Sequence, residues 1–308
     1  MIVDGNYGQA LTLYQKAFEK TRGGFAVDFA NAVVCAGKTK DFKRGFIFLD
    51  SLISKGVCES FLDSFAGFKP YRLQKSWTAF RASYAKKRES WFVPDTALIL
   101  VLDSMTYWDQ YFRLKEGSYK VFHDTIRVID KRNIETYIGI IRNRGFPDEG
   151  TIGRCFPGTD LPAGIVLHHH CQAMSLKKET VKYDFTDDLL TAIHRGKAEP
   201  HKVAFLISMQ GPDALKLAGW GVTQLESNGN TSKLMKFNYT LSEIKEIDNL
   251  RIVNGLEKLE DYYRKVSFTI QNPVAKEFIF NKYAQLNIFG GLDQETYTRT
   301  LNILTPVD

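Results

Sequence analysis

The sequence predicts a mainly α protein: a short solenoid of helical hairpins, then a helical domain that carries one small β-hairpin. Three observations predict it. Apolar residues recur at i, i+3, i+4 and i+7 over most of the 308 residues. An early stretch repeats its large and small positions at an offset of 35. Two short β-prone runs, Trp220 to Leu225 and Lys233 to Asn238, flank the turn sequence Ser227-Asn228-Gly229-Asn230. With 44% hydrophobic and 25% charged residues, the composition excludes whole-chain disorder and collagen-like repetition. The net charge of +6 favours acidic partners but falls short of a nucleic-acid signature, so no specific nucleic acid is expected.

Residues 1–92 read as helical hairpins. The offset brings Tyr7, Ala10, Leu11, Tyr14 and Ala17 onto Phe42, Gly45, Phe46, Leu49 and Leu52, and Phe25 to Ala36 supplies a helix between them. The aromatic-small-aromatic-small order of Tyr7, Ala10, Tyr14 and Ala17 resembles the second helix of a tetratricopeptide repeat. Its first helix has no counterpart, so the expectation is a truncated or unusually capped start. A degenerate third hairpin, rich in Phe, runs from Cys58 to about Ser90 and is broken at Lys69-Pro70. Such arrays present grooves for peptides, and here Tyr14, Asn31 and Lys38 would line one.

After Lys86-Lys87-Arg88-Glu89 the character changes, which places a boundary near residue 92 and a second domain over 93–265. Pro94-Asp95 starts a helix to about Lys115, and Tyr119 to Asn143 is another. Gly145-Phe146-Pro147 forces a turn, and Ile152 to Pro162 reads as loop. Helices follow over Ala163 to Ser175 and Thr186 to Arg195, the latter stopped by Gly196, and another opens at Pro200. Beyond the hairpin, Ile244 to Lys265 suits one or two helices interrupted at Gly255. Residues 266–308 read as a C-terminal extension: a strand at Ser267 to Ile270, a helix from Pro273 to about Leu286, and a break at Gly290-Gly291.

An ordered set of motifs in the second domain resembles a bacterial family of helical domains of unknown function, often preceded by tetratricopeptide-like helices. The set comprises Asp109-Gln110 with Arg113, Asp130 with Asn133, Gly145-Phe146-Pro147 with Ile152-Gly153, and Leu167-His168-His169. Trp220-Gly221-Val222-Thr223-Gln224 and Arg251 with Gly255-Leu256 complete it, over roughly Asp95 to Lys265. Ser208-Met209 stands where that family tends to carry Asp-Arg, and His168 where it carries Gln. The resemblance implies a fold and candidate residues, and it implies no function.

The candidate catalytic or ligand-site residues are Asp109, Arg113, Asp130, Asn133 and His169. Asp109 and Arg113 share a helix face at i, i+4, and Asp130 and Asn133 share one at i, i+3. Brought together with His169, they could hold an anionic substrate and supply a general base. The structural alternative is a set of buried ties between helices. No metal site is assigned, because consecutive His168, His169 and His170 diverge on a helix and only His168 and Cys171 share a face. His194 and His201 read as surface or capping residues. Phe68, Tyr71, Arg72, Lys75 and Trp77 interleave aromatic and basic groups, which on a helix reads as core before it reads as a base-stacking surface.

No nucleotide-binding loop, nucleophile elbow or cofactor fingerprint is present, and no cofactor is expected. Cys35, Cys58, Cys155 and Cys171 are scattered and read as reduced thiols. With no spanning segment and no signal peptide, a cytoplasmic protein is expected, or an exported one if the natural N-terminus lies upstream with a signal. The leading functional reading is an interaction module that binds a protein or peptide. The alternative is a hydrolase-like or small-ligand-binding domain built on the Asp/Arg/Asp/His cluster.

Overall fold

A computed structural model of the chain describes residues 1–21, 23–159, 163–208, 210, 223–227, 230–280 and 304–306. Mainly helical, it divides into two compact units. The first comprises Met1–Glu199 with Lys276–Ile279, and the second Pro200–Ala275 with Phe280–Asp308. The division near residue 92 suggested by the sequence lies inside the first unit. Phe92 is buried against Gly56 and Gly153, and the Asp95 N–H donates to Thr151 O at 2.8 Å. The change of character there marks a new helix within one core. Residue 265, the other expected boundary, falls within a helix of the second unit.

The first unit opens with α1 (Tyr7–Thr21), α2 (Ala26–Lys38) and α3 (Phe42–Ser54). The middle helix is the core: Ala26 and Val27 and then Phe29 through Gly37 are buried, because small Ala and Gly side chains let neighbours close in on every face. Gly45, paired in sequence with Ala10, owes its smallness to Tyr71. A Cβ there would overlap the Tyr71 ring, whose hydroxyl donates to Val33 O at 2.8 Å. The expected third hairpin is instead α4 (Glu59–Ser64), a 3-10 turn (Ala66–Phe68), the single turn α5 (Lys69–Arg72) and α6 (Ser76–Trp91). Pro70 starts α5 rather than merely ending what precedes it, since its fixed φ suits a first turn. Phe68 and Tyr71 are fully buried, so this aromatic-basic stretch offers no stacking surface at those rings.

Then come α7 (Thr96–Arg113), α8 (Ser118–Arg144), the short α9 (Glu149–Ile152), α10 (Gly164–Ser175) and α11 (Thr186–His194). The Asp95 carboxylate caps α7, accepting from the Leu98 N–H at 2.9 Å. The four cysteines are not all reduced thiols as expected: Cys58 and Cys155 form a disulfide, and Cys35 and Cys171 are free. Two backbone bonds carry the pairing, Arg154 N–H to Lys55 O at 2.8 Å and Cys58 N–H to Cys155 O at 3.0 Å, and they set the Cα atoms 4.5 Å apart. The two stand 97 positions apart in sequence, so no local spacing announces them.

A buried charge cluster lies nearby. Glu149 accepts from the Ala26 N–H at 2.8 Å and pairs with Arg154 at 3.3 Å, and Arg154 reaches Glu199 at 3.8 Å. Burial, with the charges of Glu199 and Glu149, pushes the Asp28 carboxyl up to about 6 against the Phe25 N–H it accepts. A carboxyl raised in the folded state favours folding at low pH, and that contribution is lost as pH rises from about 4 to about 6. Over that window the wild type should lose on the order of 2–3 kcal/mol relative to Asp28→Asn, which keeps an acceptor and does not titrate. Urea unfolding of both proteins at pH 4 and pH 7 checks this, and parallel pH dependences would contradict it.

The second unit contains α12 (Pro200–Ser208), α13 (Leu241–Val253) and α14 (Leu259–Gln271), followed by a 3-10 turn at Pro273–Glu277 whose end crosses into the first unit. Gly255, at φ +75°, separates α13 from α14 as the interrupted pattern suggested. The strand expected at Ser267–Ile270 is helical. Leu259, Tyr262 and Val266 are buried at i, i+3 and i+7, and that amphipathic face carries the β-branched run along with it. Strands β1 (Thr223–Ser227) and β2 (Asn230–Phe237) pair antiparallel, and β3 (Leu304–Pro306) pairs antiparallel with β2. Trp220–Val222, Asn228-Gly229, Met209, residues 281–286 of the expected C-terminal helix and Gly290-Gly291 lie outside the described residues. No helix among the described residues is long and apolar enough to cross a membrane.

Candidate functional site

Four of the five residues singled out in the sequence come together in the first unit. From the last turns of α7 come Asp109 and Arg113, from the middle of α8 comes Asp130, and from α10 comes His169. Every N–H direction of Arg113 is used. Nη2 donates to both oxygens of Asp130 at 2.8 and 2.9 Å, and Nη1 donates to the Asp109 backbone carbonyl at 2.7 Å and lies 3.2 Å from its carboxylate. Nε donates to the Tyr119 hydroxyl at 3.1 Å, and the guanidinium also lies over the Tyr119 ring. Arginine suits this place because its planar fork and five donors grip both oxygens of Asp130 while still reaching Asp109 and Tyr119, more bonds than the three donors of a lysine allow.

Asp109 is the hub. Only 1% exposed, it accepts from Arg113, from Gln110 Nε2 at 2.7 Å and from His169 Nδ1 at 2.9 Å. A carboxylate can only accept, so the proton sits on His169 Nδ1, and this leaves Nε2 as the basic nitrogen. Among the described residues Nε2 makes no hydrogen bond. Burial works against the charge on Arg113, but Asp109 and Asp130 outweigh it and hold its pKa above the ordinary value. For Asp130, burial outweighs the Arg113 bond and raises the carboxyl. One cation is therefore divided between two carboxylates, and Asp130 is the one left under-compensated.

A cleft of about 500 Å³ opens on this cluster, lined by Asp109, Arg113, Asp130 and His169 together with Tyr119, His123, Arg127 and Lys178. Its floor is the Asp109–Arg113–Asp130 cluster with His169, while exposed Arg127, Lys178 and His123 stand around it. The arrangement can do two things chemically. It can take a proton on His169 Nε2 with Asp109 stabilising the imidazolium, and it can attract an anionic ligand through Arg127 and Lys178.

Asn133 is not part of this site. Buried to 2% exposure, it donates from Nδ2 to Met105 O at 3.1 Å and ties α8 to α7 one turn away from Asp130. Facing the same side of α8 as Asp130 therefore serves packing at this position. His170 is buried and its Nε2–H donates to Tyr183 O at 2.7 Å, with burial lowering its pKa, so it stays neutral. Burial pushes the Cys171 thiol up to about 12, which leaves it a poor partner for His168 in metal binding. Among the described residues no group of three or more His, Cys, Asp or Glu side chains comes together to hold a metal ion.

In the second unit His201 is not a surface or capping residue. Its Nε2 lies 2.9 Å from Glu257, which Lys265 also pairs, while Arg251, 1% exposed, donates to the Glu257 carbonyl at 2.7 Å. Burial acts to raise Glu257, but His201 and Lys265 prevail and hold it well below the usual carboxylate range. His201 stands 50, 56 and 64 positions before Arg251, Glu257 and Lys265, and no periodicity points to it. Tyr119, Arg127 and Lys178 are likewise silent in the sequence, because a lone Tyr after a Gly turn and two surface cations carry no spacing signal. Compared with protein-family models, curated proteins and solved structures, the chain matches none of them.

Proposed function

We propose that the cleft of the first unit binds a small anionic ligand and that His169 acts on it as a general base, in a hydrolase-like or ligand-binding domain. One observation carries this reading: a half-buried histidine held at Nδ1 by a nearly inaccessible carboxylate, with Nε2 unbonded among the described residues, in a cleft with cationic side chains. The motif order that resembles the uncharacterised helical family supplies Asp109, Arg113, Asp130 and His169 as candidates, and the reaction is argued from their geometry alone. In a screen of chromogenic phosphate and carboxylate esters, turnover by the wild type should fall by about 10²-fold or more in His169→Ala with the helical spectrum unchanged. Activity that survives His169→Ala would overturn the assignment.

For α1, α2 and α3 we infer a tetratricopeptide-like array that holds a peptide, so that the protein also works as an interaction module. Support comes from consecutive helices joined by short turns and from polar groups of α2 that engage backbone outside the array. The Cys58–Cys155 disulfide supports an oxidising compartment, hence an exported protein, over the cytoplasm.

A further inference from the structure

Residues Lys276–Ile279 belong to the first unit although their sequence neighbours on both sides belong to the second. They lie on the face formed by α1 and α2 and meet Asn31 and Lys38, two of the three residues expected from sequence to line a groove. Asn31, buried to 5% exposure, donates from Nδ2 to Ile279 O at 2.9 Å and accepts from the Ile279 N–H at 2.8 Å. This two-point pairing engages both backbone groups of one residue, as a neighbouring β-strand would, and is independent of the side chain it reads. Side-chain contacts supply the selectivity. Lys38 pairs with Glu277 at 2.7 Å, and Tyr7 stacks on Phe278 with centroids 5.9 Å apart and planes 15° from parallel. Gly67 completes the fit, because a Cβ there would collide with the Glu277 carbonyl oxygen, so only glycine admits the segment's backbone this closely.

We propose that this face is a recognition surface for a short peptide of acidic, aromatic, aliphatic order that leaves a 3-10 turn at its acidic residue, and that the chain's own Glu277-Phe278-Ile279 occupies it in the manner of such a ligand. The proposal rests on the peptide-holding reading of α1 to α3 and adds the chemistry of what is held. Asn31 and Lys38 are invested in a contact with residues about 240 positions away, and Lys38 and Glu277 remain about 30% exposed. A partner carrying the same order of side chains would compete with the internal segment, which has the advantage of being tethered.

The test uses the full chain with the internal segment weakened, Glu277→Ala/Phe278→Ala, and a fluorescent capped peptide Ala-Lys-Glu-Phe-Ile-Phe followed by anisotropy. Expected is binding at least 10-fold tighter to this variant than to the wild type, lost on adding Asn31→Leu and weakened several-fold by Lys38→Ala. A scrambled peptide of the same composition should bind at least 10-fold more weakly. Equal binding of the scrambled peptide would overturn the stated ligand chemistry and leave the peptide-holding reading standing. No binding of either peptide would remove both. Loss of the helical spectrum in the weakened variant would show the segment to be part of the fold and would also overturn the proposal. A wild-type dimer in sedimentation that the peptide dissociates would assign the face to a second copy instead.

Discussion

Replacing Arg113 by Met should lower stability by about 3–5 kcal/mol, the range in which removal of one partner leaves buried charge uncompensated. The guanidinium is 8% exposed and Asp109 1%, so solvent cannot take its place. Met fills much of the same volume, which separates the electrostatic loss from cavity formation. The deficit should depend on pH. Burial already raises Asp130 and Arg113 is what opposes it, so the variant raises Asp130 further. A carboxyl raised in the folded state favours folding at low pH and loses that contribution as pH rises through its folded value. The gap between wild type and Arg113→Met should therefore be wider at pH 8 than at pH 5, as read from urea unfolding curves. A loss below about 1 kcal/mol at both pH values would mean that solvent reaches the cluster and compensates its charges.

Breaking the Cys58–Cys155 disulfide should have an effect of similar size. The bond closes a loop across 97 residues of sequence, and for a loop of that length the chain-entropy account gives about 4–5 kcal/mol, with measured losses for native bonds of about 2–5 kcal/mol. Cys58→Ala/Cys155→Ala and the reduced wild type should both unfold at markedly lower urea. Thiol titration of the denatured, unreduced protein should find two groups, Cys35 and Cys171, and reduction should raise the number to four. Four thiols before reduction would contradict the bond and the oxidising compartment inferred from it.

The helices, and part of the site, could be read in the sequence because their causes are local. Asp95 before an apolar run, Gly196 after one and Gly255 inside one are short-range signals of capping and interruption, and the helices lie where those signals put them. Asp109 with Arg113 at i, i+4 also needs only a helix to come together. Adding Asp130 and His169 took an ordered set of motifs, each weak alone. What periodicity could not supply is pairing at long range. Cys58 with Cys155, Asn31 with Ile279 and His201 with Glu257 each depend on tertiary packing, and nothing within ten residues of any of them announces its partner. The strand expected at Ser267–Ile270 failed for the opposite reason. The four-residue β-prone run lies within a longer helix face that begins at Leu259, and the longer pattern decides its structure. Asn133 shares a face with Asp130 as expected, yet a shared face does not decide whether a side chain serves ligand or packing.

Ligand-observed NMR of small carboxylates and phosphate esters against the wild type and against Arg127→Ala/Lys178→Ala tests the functional role of the cleft most directly. Both replaced side chains are exposed and stand outside the buried cluster, so the variant should keep its stability within about 0.5 kcal/mol. The account predicts that at least one anionic class binds the wild type, is displaced by no neutral analogue, and loses 10-fold or more in affinity in the variant. If no anion distinguishes the two proteins, Asp109, Arg113, Asp130 and His169 form an ion-paired tie between α7, α8 and α10, and the functional reading of the cleft is contradicted.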